Sequence, residues 1–157
     1  MRNGIYYIQT SLRKKMIKIA PSILAADLLK IENEIIDVDN AGAEIIHIDI
    51  MDGHYVPNIS FGYNIVKSLR PITKKILDVH LMIKPVKSYI KDFIEAGSDI
   101  ISFHPEADKN PDEVINLIKD SQCKVGIAIH PKVNIEEIKK YLSKVDLVII
   151  MTVIPGF

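Results

Sequence analysis

Short apolar runs alternate with amphipathic segments along the chain from residue 16 onward. The apolar runs are rich in isoleucine and valine, which is typical of buried β-strands. Because a helical segment separates each pair of consecutive strands, the pattern predicts parallel strands joined by right-handed helical crossovers. The predicted strands cover residues 17–20, 44–50, 75–81, 99–103, 124–129 and 146–151.

The segments between the strands carry apolar residues at helical spacing. In the first of them, apolar side chains recur at this spacing from Leu28 to Val38, Asp27 precedes them as an N-cap, and Gly42 ends the helix. The other predicted helices cover residues 63–69, 86–96, 112–120 and 135–142.

Polar residues interrupt the carboxyl-terminal ends of successive strands, at Ser22, His47, Asp49, His80, His104 and His130. In an open doubly wound sheet the chemistry concentrates at one switch point, whereas in a (β/α)8 barrel almost every strand end contributes to the site. We therefore predict an α/β fold of the (β/α)8 TIM-barrel type. The barrel is expected to be incomplete, because only about six of its eight strands are recognisable.

Two of these strand ends carry candidate metal ligands. His47 and Asp49 stand two residues apart on one strand, so their side chains project to the same side. There an imidazole and a carboxylate could share one metal ion, and His80 on the next strand is a third candidate ligand. Taken singly, each has a structural alternative: a hydrogen-bonded core histidine, or an aspartate that caps a loop.

The composition excludes several classes of partner. The chain has 157 residues, enough for one domain, with 20 basic and 20 acidic residues spread along it. We predict no nucleic-acid or membrane partner, because both require a concentrated basic face or a long apolar run. The single cysteine, Cys123, is expected to be a small buried apolar residue in a reducing compartment, which favours a cytoplasmic location.

Residues 1–15 form a separate segment that contains four basic and no acidic residues. This composition is similar to that of a short organelle-targeting segment, but sustained amphipathic spacing is missing. We therefore predict a disordered N-terminal extension over residues 1–15 and a partial barrel domain over residues 16–157.

Six segments in order resemble the successive strand and loop motifs of ribulose-phosphate 3-epimerases. The resemblance runs from about residue 17 to the end of the chain. Its motifs are APSILAADLL at 20–29, IHIDIMDGHYVPNISFG at 46–62, DVHLMI at 78–83, AGSDIISFHPE at 96–106, GIAIHPKV at 126–133 and VDLVIIMTVIPGF at 145–157.

The resemblance implies a barrel enzyme that interconverts D-ribulose 5-phosphate and D-xylulose 5-phosphate with one divalent metal ion, either zinc, ferrous iron, cobalt or manganese. It implies that His47, Asp49 and His80 bind the metal and that Asp49 is also the proton acceptor. A fourth ligand, an aspartate on a seventh strand that also serves as the opposite acid, is not contained in the sequence. The full-length protein is expected to be a homo-oligomer with a pentose phosphate substrate.

Further site residues follow from the same resemblance. Glycine lets a backbone N–H approach a phosphate without a Cβ in the way, and flexible methionines can line a site that accepts both epimers. The predicted substrate-binding residues are Ser22, His80, Gly156 and Phe157. The predicted site-lining residues are Met51, Met82 and Met151, for which ordinary core packing is the alternative.

Epimerisation at C3 requires removal of a proton beside the C2 ketone and its return on the opposite face. The enediolate formed in between needs its negative charge held, which a metal ion can do as a Lewis acid. Asp49 supplies an acid/base group for one face only. Two alternatives therefore stay open: a non-catalytic metal-binding or assembly fragment, and an epimerase of another ketose phosphate such as allulose 6-phosphate.

Overall fold

The computed structural model describes residues 5–6 and 17–156 of the chain. The prediction of a disordered extension over residues 1–15 falls almost wholly outside this part and stays a prediction. The strands are β1 (Ile5–Tyr6), β2 (Ile19–Ala20), β3 (Ile45–Met51), β4 (Ile76–Met82), β5 (Ile100–Phe103), β6 (Lys124–Ile129) and β7 (Leu147–Ile150).

A helix lies between each pair of consecutive strands from β2 to β7. The α-helices are α1 (Ile31–Asn40), α2 (Tyr63–Leu69), α3 (Ile90–Glu95), α4 (Pro111–Lys119) and α5 (Ile135–Ile138). Short 3-10 turns extend three of them, at Leu28–Lys30 before α1, Lys87–Tyr89 before α3 and Lys139–Tyr141 after α5. None of the helices in the described part of the chain is both long and apolar enough to span a bilayer.

The first predicted helix begins and ends with the signals seen in the sequence. The Asp27 carboxylate accepts a hydrogen bond from the Leu29 N–H at 3.1 Å and so caps the turn that leads into α1. After α1, Gly42 adopts a φ of +90°, a backbone conformation that residues with a Cβ rarely reach. The helix therefore turns into β3 at the residue that the sequence indicates.

Strands β3 to β7 form one parallel sheet in the order β3-β4-β5-β6-β7. The segment after β2 joins β3 on its other side, because the His47 N–H donates to the Pro21 carbonyl at 2.9 Å and Ser22 forms a parallel bridge with His47. β1 pairs with β2 in antiparallel orientation. The predicted fold class is confirmed: the chain has the α/β arrangement of a partial (β/α) barrel.

The two faces of the sheet differ in chemistry because side chains alternate along each strand. One face packs against the helices and supplies most of the apolar core, including Ile48, Val79, Phe103 and Ile127. The opposite, inner face carries buried polar side chains at His47, Asp78, His80 and Ser102. Burying polar groups is costly unless they are paired, so this face must satisfy its own hydrogen bonds.

Arg70 ties together the end of the sheet where the strands begin. Its guanidinium donates to Asp99 Oδ2 at 2.8 Å and to the carbonyls of Thr73 and Lys75 at 2.6 and 2.9 Å. A Cβ at Gly97 would come within 2.8 Å of the Arg70 side chain, so glycine is needed for this close approach. One side chain thus fixes the loop after α2 against the starts of β4 and β5.

Replacing Arg70 by Met is expected to lower the free energy of unfolding by about 2 kcal/mol, because the aliphatic stem remains while a carboxylate and two carbonyls lose their donor. Lys67→Met is the matched control, since it removes a cation from an exposed position of α2, the helix that ends just before Arg70. Urea unfolding measures both variants. Equal stability of the two would contradict a structural role of the Arg70 hydrogen bonds.

Candidate functional site

The candidate site lies where the inner face of the sheet reaches the carboxyl ends of β3 and β4. His47 and Asp49 project from the inner face of β3, and His80 stands directly opposite Asp49 in the β3–β4 pairing. In barrels of this type the carboxyl ends of the strands are the usual place for catalytic groups. The three predicted metal ligands are therefore brought together by strand register alone.

The three side chains form one compact donor set. Asp49 Oδ1 lies 3.2 Å from His47 Nε2 and 3.1 Å from His80 Nδ1. One ligand atom from each residue can be chosen so that all three lie within 4.8 Å of one another. Two imidazole nitrogens and one carboxylate oxygen suit a divalent transition metal, so the residues present fit such an ion.

The protonation states also fit metal binding. Burial raises the pKa of Asp49, but interactions with His47 and His80 outweigh this effect and hold the pKa well below its usual range. Burial lowers the pKa of His80 to about 4, although Asp49 acts in the opposite direction. At neutral pH the site therefore presents a carboxylate and a neutral imidazole, which are the forms that bind metals.

Asp78 orients the first histidine, and the sequence interpretation did not identify it. Its Oδ2 lies 2.6 Å from His47 Nδ1, and both side chains are fully buried. Burial raises the pKa of Asp78 to about 8, so this contact holds a shared proton at neutral pH. When that proton is on Nδ1, the Nε2 lone pair of His47 is available to a metal ion. The signal was present in the sequence, because Asp78 stands two residues before His80 and therefore shares its inner face.

Ser22 contacts the candidate base directly. Its hydroxyl donates to Asp49 Oδ2 at 2.6 Å and accepts the Leu24 N–H at 3.2 Å. The second contact is a turn-forming bond, a structural role that serine often has at the start of a turn. The structure thus places Ser22 beside the site, while its predicted hydrogen bond to a sugar stays a prediction.

Two of the three predicted site-lining methionines lie together. Met51 and Met82 stand opposite each other at the ends of β3 and β4 and pack with Val56 in a small apolar cluster. Met151 follows β7, at the far edge of the sheet, and is only partly buried. The predicted site-lining methionines that lie near the donor set are therefore Met51 and Met82.

The loop after β3 folds back onto the end of that strand. Asp52 holds it by accepting the N–H groups of His54 and Lys84. Ser60 closes the loop, because its hydroxyl donates to the Asp49 carbonyl at 2.6 Å and accepts the Met51 N–H at 3.0 Å. The strand end that carries Asp49 is thereby held from both sides.

Gly156 lies against this same loop. It adopts a φ of +91°, and a Cβ there would come within 2.7 Å of Val56. Its carbonyl accepts a hydrogen bond from Asn58 Nδ2 at 3.4 Å. The segment after β7 thus reaches the mouth of the site, whereas the predicted substrate residue Phe157 lies outside the described residues.

The two remaining strand-end histidines differ from each other. The sequence predicts rim or packing positions for both. His130 is partly exposed and accepts the Lys132 N–H through Nδ1 at 3.1 Å. His104 is fully buried, and its Nε2 lies 3.0 Å from His80 Nε2. His104 therefore belongs to the surroundings of the donor set.

Comparison with known families gives a match over most of the chain. The profile described as "Ribulose-phosphate 3 epimerase family" matches residues 18–157. The ribulose-phosphate 3-epimerase of Bacillus subtilis (strain 168) is 49% identical over 142 residues, which are 90% of this chain and 65% of that protein. That of Escherichia coli (strain K12) is 43% identical over 145 residues, or 91% of this chain and 64% of that protein.

Ribulose-phosphate 3-epimerase 1 of Cupriavidus necator is 42% identical over 144 residues, or 92% of this chain and 60% of that protein. The chain thus spans between 60% and 65% of the length of these three relatives.

Solved structures support the fold at low sequence identity. The 7,8-dihydropteroate synthase of Vibrio fischeri ES114 is 11% identical and superposes with a TM-score of 0.54 over 89% of this chain and 60% of that chain. The dihydropteroate synthase of Xanthomonas albilineans in complex with 7,8-dihydropteroate is 13% identical, with a TM-score of 0.51 over 78% of this chain and 48% of that chain. At these identities the likeness concerns the fold alone.

Replacing Asp78 by Asn is expected to weaken zinc binding about 10- to 100-fold, the usual cost of losing a carboxylate that orients a metal-binding histidine. The new amide can donate to His47 Nδ1 and so favours the tautomer that carries its proton on Nε2. Competition with a chromophoric chelator measures the affinity. Asp120→Asn, at an exposed position, is the control, and equal zinc affinity of the two variants would contradict this role.

Proposed function

The chain belongs to the ribulose-phosphate 3-epimerase family, and we propose that the protein interconverts D-ribulose 5-phosphate and D-xylulose 5-phosphate by proton transfer at C3. The observation that carries the proposal is the convergence of His47, Asp49 and His80 at the carboxyl ends of two neighbouring strands. A carboxylate held between two imidazoles suits metal-assisted removal of a proton beside a ketone.

His47, Asp49 and His80 are the residues that would hold a divalent cation. When bound, such an ion would supply Lewis-acid stabilisation of the negative charge that develops on the substrate oxygens. The donor set of two imidazoles and one carboxylate is compatible with zinc, ferrous iron, cobalt or manganese. Asp78 supports this assignment, because its contact with His47 Nδ1 fixes the orientation of that ring.

Asp49 is the proposed base for one face of the substrate. It is ionised at neutral pH, and the Ser22 hydroxyl bonded to its Oδ2 holds the carboxylate in one orientation. A depressed pKa makes it an intrinsically weak base, but transfer within a bound complex is effectively intramolecular, which offsets this weakness. For the opposite face we propose an aspartate on the barrel strand that would follow β7, which residues 1–157 do not include.

The remaining site residues are proposed to hold and surround the sugar phosphate. Ser22 and His80 both contact Asp49, the proposed base, and from there their polar atoms can reach sugar oxygens. Gly156 and Phe157 are proposed for the phosphate side, and Met51, Met82 and Met151 for the apolar lining. The homo-oligomeric state and the cytoplasmic location stay predictions.

Replacing Asp49 by Asn is expected to reduce exchange of the C3 proton about 1000-fold, within the range for loss of a general base. Deuterium incorporation into ribulose 5-phosphate in D₂O, followed by NMR with added zinc, measures the first proton transfer separately from xylulose 5-phosphate formation. Exchange without product would indicate that one face works alone.

Asp120→Asn serves again as the control, because this carboxylate is exposed and outside the site. Wild-type exchange in the Asp49→Asn variant would contradict the assignment of the base. Absence of both exchange and product in the wild-type protein would support the non-catalytic alternative. Faster turnover of allulose 6-phosphate would instead identify another ketose phosphate as the substrate.

Removal of divalent cations is expected to lower the rate of C3 proton exchange at least about 100-fold, because Lewis-acid stabilisation contributes several kcal/mol to such a step. Treatment with a chelator, followed by addition of zinc, manganese, cobalt or ferrous salts, tests this expectation and ranks the metals. The same chelator saturated with zinc beforehand is the control. Full activity after complete metal removal would contradict the proposed metal dependence.

A further inference from the structure

The loop after β3 and the segment after β7 meet at the carboxyl end of the sheet. β3 and β7 are the two outer strands of the five-stranded parallel sheet, so three strands lie between them. Residues 52–60, here called the β3 loop, nevertheless reach Gly156 with two side chains, those of Val56 and Asn58. The β3 loop therefore joins the ends of the two outermost strands of this sheet.

Further contacts fix the β3 loop to the strands that lie between β3 and β7. The Asp52 carboxylate accepts the N–H of Lys84, which follows β4, at 3.0 Å. The Tyr55 hydroxyl donates to Oε1 of Glu106, which follows β5, at 2.8 Å, and the Tyr55 ring lies against the His104 ring with the centroids 4.7 Å apart. Because the loop is attached at both places, its side chains form a fixed surface for the segment after β7.

The segment after β7 approaches this surface with its backbone. Residues 152–154 are exposed, whereas Pro155 and Gly156 are buried. A Cβ at Gly156 would lie 2.7 Å from Val56 Cβ, closer than such atoms pack, and Gly156 has a φ of +91°. Val56 is itself buried. The chain thus turns inward at Pro155, and the close contact that follows requires a residue without a Cβ.

Asn58 restrains the carbonyl of Gly156. Its Nδ2 donates to that carbonyl at 3.4 Å, while its Oδ1 accepts the Ile59 N–H at 2.9 Å. The Asn58 carbonyl in turn accepts the Gly53 N–H at 2.9 Å, so the residue is fixed within the loop. Glycine has the widest conformational range of all residues. The contacts with Val56 and Asn58 therefore supply the restraint that Gly156 lacks by itself.

We propose that Asn58 and Val56 are positioning residues for the phosphate group of a ketose phosphate, because they hold the Gly156 backbone in place for this anion. The inference rests on the proposed function, in which Gly156 lies on the phosphate side. The same loop begins three residues after Asp49, and its Ser60 hydroxyl donates to the Asp49 carbonyl at 2.6 Å. It thus links the proposed base to the phosphate side, and this preorganisation reduces the cost of ordering the backbone on binding.

The test compares two substrates that differ only in the phosphate group. Exchange of the C3 proton in D₂O, followed by NMR with added zinc, gives kcat/KM for ribulose 5-phosphate and for D-ribulose. In Asn58→Ala the ratio of these two values is expected to fall about 10-fold, mainly through a higher KM for ribulose 5-phosphate, because the loss concerns the phosphate side. An unchanged ratio would overturn the inference, including the case in which both values fall equally.

Asn116→Ala is the matched control, since it makes the same change at an exposed position of α4. Val56→Ala is a second test of the same contact. It is expected to lower the ratio by a smaller factor, because the Val56 Cβ, the atom nearest to Gly156, remains. Thermal unfolding verifies that each variant folds. If Asn58→Ala does not fold, Val56→Ala decides, and an unchanged ratio in that variant would overturn the inference.

Binding measured without turnover separates this inference from the proposed function. Broadening of the ³¹P NMR signal of ribulose 5-phosphate by the protein reports binding even where no proton is exchanged. Weaker binding by Asn58→Ala than by Asn116→Ala, in a protein that exchanges no C3 proton, would support the positioning role while the proton-transfer function fails. C3 exchange with the same substrate ratio in both variants would overturn the inference and leave the function intact. A wild-type protein that binds no ribulose 5-phosphate would overturn both.

Discussion

The in-register parallel pairing of β3 with β4 is the constraint on which the site depends. It sets Asp49 opposite His80 and His47 opposite Asp78, so four titratable side chains meet on one face of two strands. Because side chains alternate with a period of two, a slip of one residue would turn half of this set toward the helices. The apolar residues at the intervening positions oppose such a slip, since they fill the core between sheet and helices.

The polar inner face is stable because its members satisfy one another. An isolated buried carboxylate or imidazole would be costly, and here each candidate ligand histidine uses both ring nitrogens. His47 contacts Asp49 and Asp78, whereas His80 contacts Asp49 and His104. The ring nitrogen that faces away from Asp49 thus has a buried partner in both histidines, and the two nitrogens beside Asp49 are the candidate ligand atoms.

Stability and chemistry are divided between the two ends of the sheet. At the end where the strands begin, Arg70 and Asp99 link backbone and side chains of neighbouring segments in a purely structural arrangement. At the opposite end, Ser60 and Ser22 brace the strand end and the carboxylate of Asp49. This division is the one expected for a (β/α) barrel, whose loops after the strands carry the functional groups.

The sequence by itself determined the order of strands and helices from β2 onward, and it predicted the bounds of α2 and β6 as the structure has them. It did not indicate β1. It also determined that His47 and Asp49 share a face, because strand and helix periodicity are local properties of the chain. The limits of β2 and β7 were predicted less well, since both strands are shorter than their apolar runs.

Only the tertiary structure decided which partners lie behind the two histidines. Asp78 is 31 residues from His47 along the chain, and His104 is 24 residues from His80. Their contacts depend on strand register and on the choice between two ring nitrogens, which no local pattern encodes.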